Sequence, residues 1–370
     1  MKILVAEFHH LGDAVMALPF VRGALEGGHE VEVWCRSNVA KLFELANIAD
    51  AKSERNLRIK AWEPPWHEES HSKGILEKIT EYQRIVKVWI EEGFDVAVTV
   101  WADSRVHGLF GFARIPKRVG FPMNFINYYG SSVFWRRRNL IGGKFLEFIL
   151  KFLLGEQLLT DELLRKSPVQ HHLEAWRQIG EKLQIFLNFK PPWLSVKEET
   201  ISSITREAIQ GLPNRRRIFI HPGGRLPCKT WPLEKFKQVV KKLREKELNV
   251  SILICQSPSS FFSELDFAGC CLVPTPKLED LVYAISVSDI FLGNDSLPAH
   301  IAAALGKDVL AIFGSSDPRL FAPANRQETV IWAEGACPYH PCMDRCRQPS
   351  FLCLDSVNVE QVFERIAIRL

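Results

Sequence analysis

Three segments of this 370-residue sequence set ionisable side chains directly after an apolar run and ahead of a helical pattern. The first is His9-His10-Leu11-Gly12-Asp13-Ala14-Val15. A carboxylate at the carboxyl end of a strand faces the crevice where α/β folds bind ligands, so Asp13 is ionised at neutral pH and placed to act as a general base. The same position also suits a helix cap that satisfies free backbone N–H groups. The second is His221-Pro222-Gly223-Gly224-Arg225, followed by Lys229-Thr230-Trp231-Pro232. Paired glycines let a backbone approach a ligand closely, and a lysine just ahead of a helix start suits a phosphate. The third is Gly293-Asn294-Asp295-Ser296-Leu297-Pro298-Ala299-His300, running on to Gly306 as a helix stop. Asp295 and Ser296 cap that helix, and such a cap also offers N–H groups and a positive dipole end to an anion. His300 lies one turn further in. Each segment alone has a plain reading as a cap, a surface loop or a structural histidine, but three such strand ends in one chain point to a common ligand site.

Parallel strands must position these ends. The runs Ile3–Ala6, Val31–Cys35 and Val96–Val100 in the first half are nearly continuous in apolar residues. So are Ile218–Ile220, Val250–Cys255, Ile290–Leu292 and Val309–Phe313 in the second half, as expected of strands covered on both faces. Between them lie patterns such as Phe236, Val239, Val240, Leu243, with helical spacing, and a further helical pattern at His172–Leu187. The alternation predicts two doubly wound α/β domains with a hinge at Lys190-Pro191-Pro192-Trp193. The length suits two domains, and 46% hydrophobic with 24% charged residues excludes a disordered or collagen-like chain. No apolar run reaches the roughly 18 residues of a spanning helix, and the N-terminus reads as a buried strand and not a secretion signal. A cytoplasmic enzyme is the expectation. The dinucleotide fingerprint G-x-G-x-x-G is absent after the first strand, which argues against NAD or FAD.

The net charge of +4 gives no general polycation for nucleic acid, yet residues 104–151 hold nine basic side chains against one acidic, Glu147. Arg105, Arg114, Lys117, Arg118, Arg136, Arg137, Arg138, Lys144 and Lys151 form either a solvated basic face or a site for an anionic acceptor or membrane surface. The amphipathic stretch Phe145–Leu154 suits a membrane surface or a core helix equally. Nine cysteines in a chain without a signal peptide are mostly reduced thiols. Cys337, Cys342, Cys346 and Cys353 cluster with His340, and their gaps leave three readings open: a structural metal, reduced thiols or disulfides.

The three segments resemble the signature of the heptosyltransferases, glycosyltransferase family 9. That signature is a first strand leading to L-G-D-x-V, then H-P-G with K-x-W-P, then G-N-D-S-G-x-x-H running into A-x-x-L-G. Arg114, Val119-Gly120-Phe121 and the cysteine-rich end match as well, so the likeness extends over essentially the whole chain. It implies the GT-B architecture, two Rossmann-like doubly wound domains facing a central cleft. Residues 1–190 would bind acceptor and 191–355 the nucleotide-sugar donor, with a last helix in 356–370 packing back on the first domain.

The resemblance further implies inverting, metal-independent transfer of heptose from ADP-heptose to a lipopolysaccharide inner-core acceptor. Such an acceptor is an anionic glycolipid at the inner face of the inner membrane, where the protein would be peripheral. Asp13 would deprotonate the acceptor hydroxyl and Lys229 would neutralise the departing diphosphate. Asp295 would bind sugar hydroxyls, the Ser296 and Leu297 backbone would hold phosphate oxygens, and His221, Gly223, Gly224 and His300 would complete the donor pocket. His10, Arg105 and Arg118 are assigned to the acceptor. No cofactor is required for catalysis, while Cys337, Cys342, Cys346 and Cys353 would hold a structural Zn or Fe, as in an iron-binding branch of these transferases.

Two departures stand out. Leu297 replaces a usual glycine, which would strain the phosphate loop if its φ were positive. Gln256-Ser257-Pro258 replaces a glycine-rich turn and puts the nucleotide base in question. A protein acceptor, or a degenerate nucleotide-sugar-binding or epimerase-like protein on the same scaffold, are the alternatives.

Overall fold

The computed structural model describes residues 1–48, 55–66, 74–123, 146–147, 149–151, 153–155, 157–167, 170–246, 249–258, 262, 264–343 and 345–370. The chain divides into two units, Met1–Phe189 and Lys190–Leu370. In the first unit the strands are β1 (Lys2–Glu7), β2 (Glu30–Cys35), β3 (Leu57–Ala61), β4 (Val96–Thr99), β5 (Lys117–Gly120) and β6 (Asp161–Glu162). Its helices are α1 (Leu11–Glu26), α2 (Ser37–Glu44), α3 (Ile75–Glu92), α4 (Ser104–Phe112) and α5 (His172–Leu183). The sheet order is β3-β2-β1-β4-β5-β6 and every pairing is parallel. The central strand β1 is buried along almost its whole length, because helices cover both faces. Helix α1 packs on α5, with Phe20 5.2 Å from Trp176. On one side of the sheet Trp34 meets Trp89 edge-on at 5.6 Å, in a core shared with Phe8, Trp62 and Phe110.

The second unit repeats the plan. Its strands are β7 (Arg216–His221), β8 (Val250–Gln256), β9 (Cys271–Pro274), β10 (Ile290–Asn294), β11 (Asp308–Ile312) and β12 (Val330–Ile331), in the order β12-β11-β10-β7-β8-β9, again all parallel. Its helices are α6 (Ser203–Gln210), α7 (Leu233–Glu245), α8 (Leu278–Ser286), α9 (Leu297–Ala304), α10 (Pro318–Phe321), α11 (Leu352–Asp355) and α12 (Val359–Ala367). In both sheets the first and fourth strands lie side by side at the centre, which is the doubly wound Rossmann order. The connection reverses direction there, so a crevice opens at the carboxyl ends of β1 and β4 in one sheet and of β7 and β10 in the other.

The last helix has packing partners within its own unit. Val362, Phe363 and Ile366 of α12 belong to the second unit's core, together with Trp231, Phe236, Val239 and Leu243, and α12 packs along α7. Lys242 and Glu360 close the seam between α7 and α12 as an ion pair. Among the described residues no helix is long and apolar enough to cross a membrane. Arg136, Arg137, Arg138 and Lys144 of the basic segment, and Phe145, Phe148 and Phe152 of the apolar stretch, lie outside the described residues. Within that stretch Leu150 and Leu154 pack on α4, where Gly108 and Gly111 make the room. A Cβ at these glycines would meet the two leucines at 2.9 and 2.6 Å.

Candidate active site

In the first unit the site begins at the end of β1. Helix α1 starts at Leu11, so Gly12 and Asp13 are its second and third residues. Asp13 is therefore not the cap itself. Its Oδ2 accepts the backbone N–H of His10 at 3.2 Å, and the residue is only 7% exposed. Glu7, the last residue of β1, accepts two hydrogen bonds on Oε1, from the His9 N–H at 3.1 Å and the Trp101 indole N–H at 3.2 Å. The His9 ring stacks on Trp101 with centroids 3.7 Å apart, and Trp101 leans on His172 at 4.6 Å. Loops after β1 and β4 are thus joined through Glu7, His9 and Trp101, none of which the sequence marks as a site residue. Their signal was only a polar residue ending an apolar strand.

Of the residues assigned to an acceptor, His10 is the exposed residue just ahead of α1. Arg105 forms a two-pronged ion pair with Asp103, Nε to Oδ1 at 2.8 Å and Nη2 to Oδ2 at 2.6 Å, and lies over the Trp66 ring. Burial works to raise the Asp103 carboxyl, but the Arg105 guanidinium and then His9 overcome it and hold the group at about 2. Arg118 is corrected. It is 6% exposed, and its guanidinium donates to the carbonyls of Leu158, Ile115 and Gln157 at 3.0, 3.1 and 2.9 Å. It ties β5 to the segment leading into β6 and presents no free charge to a ligand. Lys151 likewise pairs with Glu147 at 2.7 Å.

In the second unit Asn294, the last residue of β10, organises the site. Its Oδ1 accepts the Trp231 N–H at 2.9 Å, and its Nδ2 donates to the carbonyls of Pro222 and Gly223 at 3.1 and 2.9 Å. One fully buried side chain thus holds the loop after β7, the turn before α7 and its own strand end together. Gly224 is required by this packing, since a Cβ there would lie 2.2 Å from Thr230 Oγ1. Lys229 ends the turn Pro227–Lys229, with Nζ 3.8 Å from Oδ2 of Asp295. His300, 6% exposed on the first turns of α9, is pushed down by burial, with Asp295 pulling it up and Lys229 pushing it down, so these three groups act on one another. Loss of water around His221 pushes its ring down to about 4. Burial thus favours the neutral ring at both positions.

Ser296 precedes α9 and makes no side-chain cap; its hydroxyl instead donates to the Asn294 carbonyl at 3.2 Å. Leu297 is the first helical residue and is not among the positive-φ residues, so the leucine is unstrained and its N–H is kept. The arrangement can bind an anion at the start of α9, with Lys229 supplying the cation.

The cysteines read as a candidate metal set are free thiols, as are all nine in the chain. Among the described residues no three Cys, His, Asp or Glu side chains are gathered as a metal's ligands would be. Cys342 is buried under the loop after β11, where its N–H binds the Ser315 carbonyl at 3.1 Å, and Cys353 sits in the core on α11. Burial, then the charges that Cys346, Cys353, Cys228 and Cys337 would carry, pushes the Cys342 thiol up to about 12. Cys228, far away in sequence, is therefore part of this group.

Comparison with known proteins agrees with this geometry. The family model of glycosyltransferase family 9 (heptosyltransferase) matches residues 156–349. The chain is 23% identical over 269 residues to lipopolysaccharide heptosyltransferase 3 of Escherichia coli, covering 70% of each. It is 29% identical over 187 residues to the lipopolysaccharide core heptosyltransferase OpsX of Haemophilus influenzae, covering 48% of this chain and 52% of that one. Its fold resembles that of E. coli ADP-heptose lps heptosyltransferase II, with a TM-score of 0.66 at 18% identity over 100% of this chain and 98% of the other. The doubly wound sheets are thus those of a two-domain GT-B enzyme, and the chain belongs to glycosyltransferase family 9, the heptosyltransferases.

Proposed function

We propose that this protein transfers heptose from ADP-heptose to a sugar hydroxyl of the lipopolysaccharide inner core, with inversion and without a metal. The observation that carries the reading is the group at the start of α9, where Lys229, Asp295 and His300 act on one another beside the Leu297 N–H, which no Ser296 side chain caps. The acceptor O–H passes its proton to Asp13 as the oxygen bonds to the sugar's anomeric carbon. The bond from that carbon to the diphosphate breaks, and its electron pair leaves with ADP. Negative charge therefore grows on the diphosphate, where Lys229 and the helix N-terminus stabilise it, while the sugar becomes oxocarbenium-like. Asp295 binds sugar hydroxyls, and His300 and His221 line the donor pocket. ADP-heptose as donor follows the E. coli structural relative, an ADP-heptose heptosyltransferase, and lipopolysaccharide as acceptor follows the relatives from E. coli and H. influenzae. An acceptor of that kind is anchored in a membrane, so the enzyme works as a peripheral protein on the inner face.

The test is a mass-spectrometric transfer assay with ADP-, UDP-, GDP- and dTDP-sugars and a heptose-deficient lipopolysaccharide. A heptose increment with the ADP donor alone is expected. Asp13→Asn should lower turnover by about 10²–10⁴-fold with ADP binding retained, and Lys229→Ala should weaken both. No transfer from any donor, or full turnover in Asp13→Asn, would overturn the reading.

A further inference from the structure

Glu7 has no role in the mechanism above, and its setting is unusual for a carboxyl group. It has no exposed surface, and while Oε1 takes two hydrogen bonds, the equally buried Oε2 has no hydrogen-bond partner. The His9 N–H is held by Glu7, and the next backbone N–H, that of His10, is held by Asp13. Two carboxyl groups therefore grip consecutive amides of one loop and are close neighbours.

Titratable groups face Glu7 from each side. Asp13 approaches from α1, and the His9 ring from the loop, with Nδ1 4.0 Å from Oε1. Cys35, its register partner on β2, has a thiol that burial and then Glu7, Glu63 and Glu44 push up to about 12. Trp101, from beyond β4, is uncharged. An ionised Glu7 would thus bury an oxygen without a donor beside a second carboxylate, and both features are costly away from water. Burial first, and then the charge of Asp13, pushes the Glu7 carboxyl well above the usual carboxylate range.

We infer that Glu7 and Asp13 form one carboxyl pair with a single negative charge, in which Glu7 keeps the proton and leaves the charge on Asp13. The inference rests on Asp13 as the base. Glu7 is a positioning residue: it touches no substrate, its proton stays in place during transfer, and Asp13 alone receives the acceptor's proton. Its neutral form fixes the His9–Trp101 stack and the loop that carries Asp13. When Glu7 ionises, two like charges pull on the amides of one loop, and the geometry of the base is lost. The upper end of the enzyme's pH range is then set by Glu7.

Infrared difference spectroscopy on the full chain reads the C=O stretch of a buried protonated carboxyl independently of transfer. The wild type should show this band at pH 7 and lose it as the pH rises, and Glu7→Gln should lack it. Asp13→Asn removes the neighbouring charge but not the burial, so the band should titrate away at a pH lower by about one unit or more. In the transfer assay the wild type's alkaline limb should fall where the band disappears, and Glu7→Gln should not show that limb.

No protonated band in the wild type at pH 7, or a band unmoved by Asp13→Asn, would overturn the pair. An alkaline limb unchanged in Glu7→Gln would leave Glu7 a purely structural carboxyl, and the inference would fail. If Glu7→Gln does not fold, the titration of Asp13→Asn decides alone. Turnover surviving in Asp13→Asn would remove the base assignment, while the shifted band would still report the shared charge, so the two failures are told apart.

Discussion

Replacing Asn294 should loosen the whole donor side of the molecule, because three backbone segments depend on this one side chain. Asn294→Ala removes an acceptor from the Trp231 N–H and two donors from the Pro222 and Gly223 carbonyls, at a site with no exposed surface. Each buried group left without a partner costs about 1–3 kcal/mol, so the three together cost about 3–9 kcal/mol, nearer the lower end if water enters the space. A loss of that size is a large fraction of a domain's usual stability of about 5–15 kcal/mol. Asn294→Asp separates the contributions. Its carboxylate still accepts from Trp231 but turns negative oxygens toward two carbonyls, so it should be at least as damaging at pH 7 and should recover on acidification, when the carboxyl gains a proton to donate. Urea unfolding gives the stability, amide exchange at Trp231 gives the local opening, and ADP titration gives the effect on the donor site. Exchange at Trp231 should quicken by about 10²-fold or more, with weaker ADP binding, because the Lys229 turn and the His221 loop lose their common anchor. A loss within about 0.5 kcal/mol in Asn294→Ala, as for an ordinary surface change, with ADP affinity unchanged, would refute the reasoning.

Two further outcomes follow from buried groups in the first unit. Arg118→Met should cost about 3 kcal/mol or more, since three carbonyls lose their donor. The acceptor KM should stay in place; a raised KM without loss of stability would return Arg118 to the acceptor site. His107 is buried, its Nε2 has no hydrogen-bond partner, and burial pushes it down to about 4. Its folded value lies below the unfolded value of 6.5, so its contribution is fully present above that pH and is lost as the pH falls toward 4. The loss amounts to about 3 kcal/mol at most, and denaturant unfolding of His107→Gln should be less acid-sensitive by up to that amount. An identical pH slope in the two proteins would exclude His107 as the titrating group.

What the sequence made legible was local. Continuous apolar runs marked the seven longest-buried strands to within two residues at either end, and the i, i+3, i+4, i+7 pattern at Phe236–Leu243 marked α7. Five of the described strands escaped: β3 alternates polar and apolar residues at a sheet edge, β5 and β9 are only four residues long, and β6 and β12 are two residues each. The three strand ends were legible because glycines and cap residues answer to local backbone geometry. Partner choice over long separations was not. Arg118 counted as one charge in a basic segment, yet its side chain meets carbonyls as far as 40 residues away. The four clustered cysteines looked like a ligand set by spacing, but spacing does not say that Cys342 turns under the loop after β11 or that Cys228 joins the group. Asn294 stood unnoticed between Gly293 and Asp295, since an asparagine reveals nothing of the carbonyls it will meet.

The repeated sheet order explains why the chemistry collects where it does. In each unit the first and fourth strands are neighbours, so residues separated by 63 to 94 positions meet at one switch point. Trp101 reaches Glu7 in the first unit, and Asn294 reaches Pro222, Gly223 and Trp231 in the second. Burial acts in the same sense in both crevices, favouring the uncharged form: it pushes the Glu7 carboxyl up in one and the His221 and His300 rings down in the other. On the proposed reading Asp13 supplies the base for one end of the reaction, and Lys229, 3.8 Å from Asp295, supplies the cation for the other. The positive charge beside the leaving group comes, on that reading, from Lys229 and the start of α9, and its effect grows as charge develops on the departing oxygen.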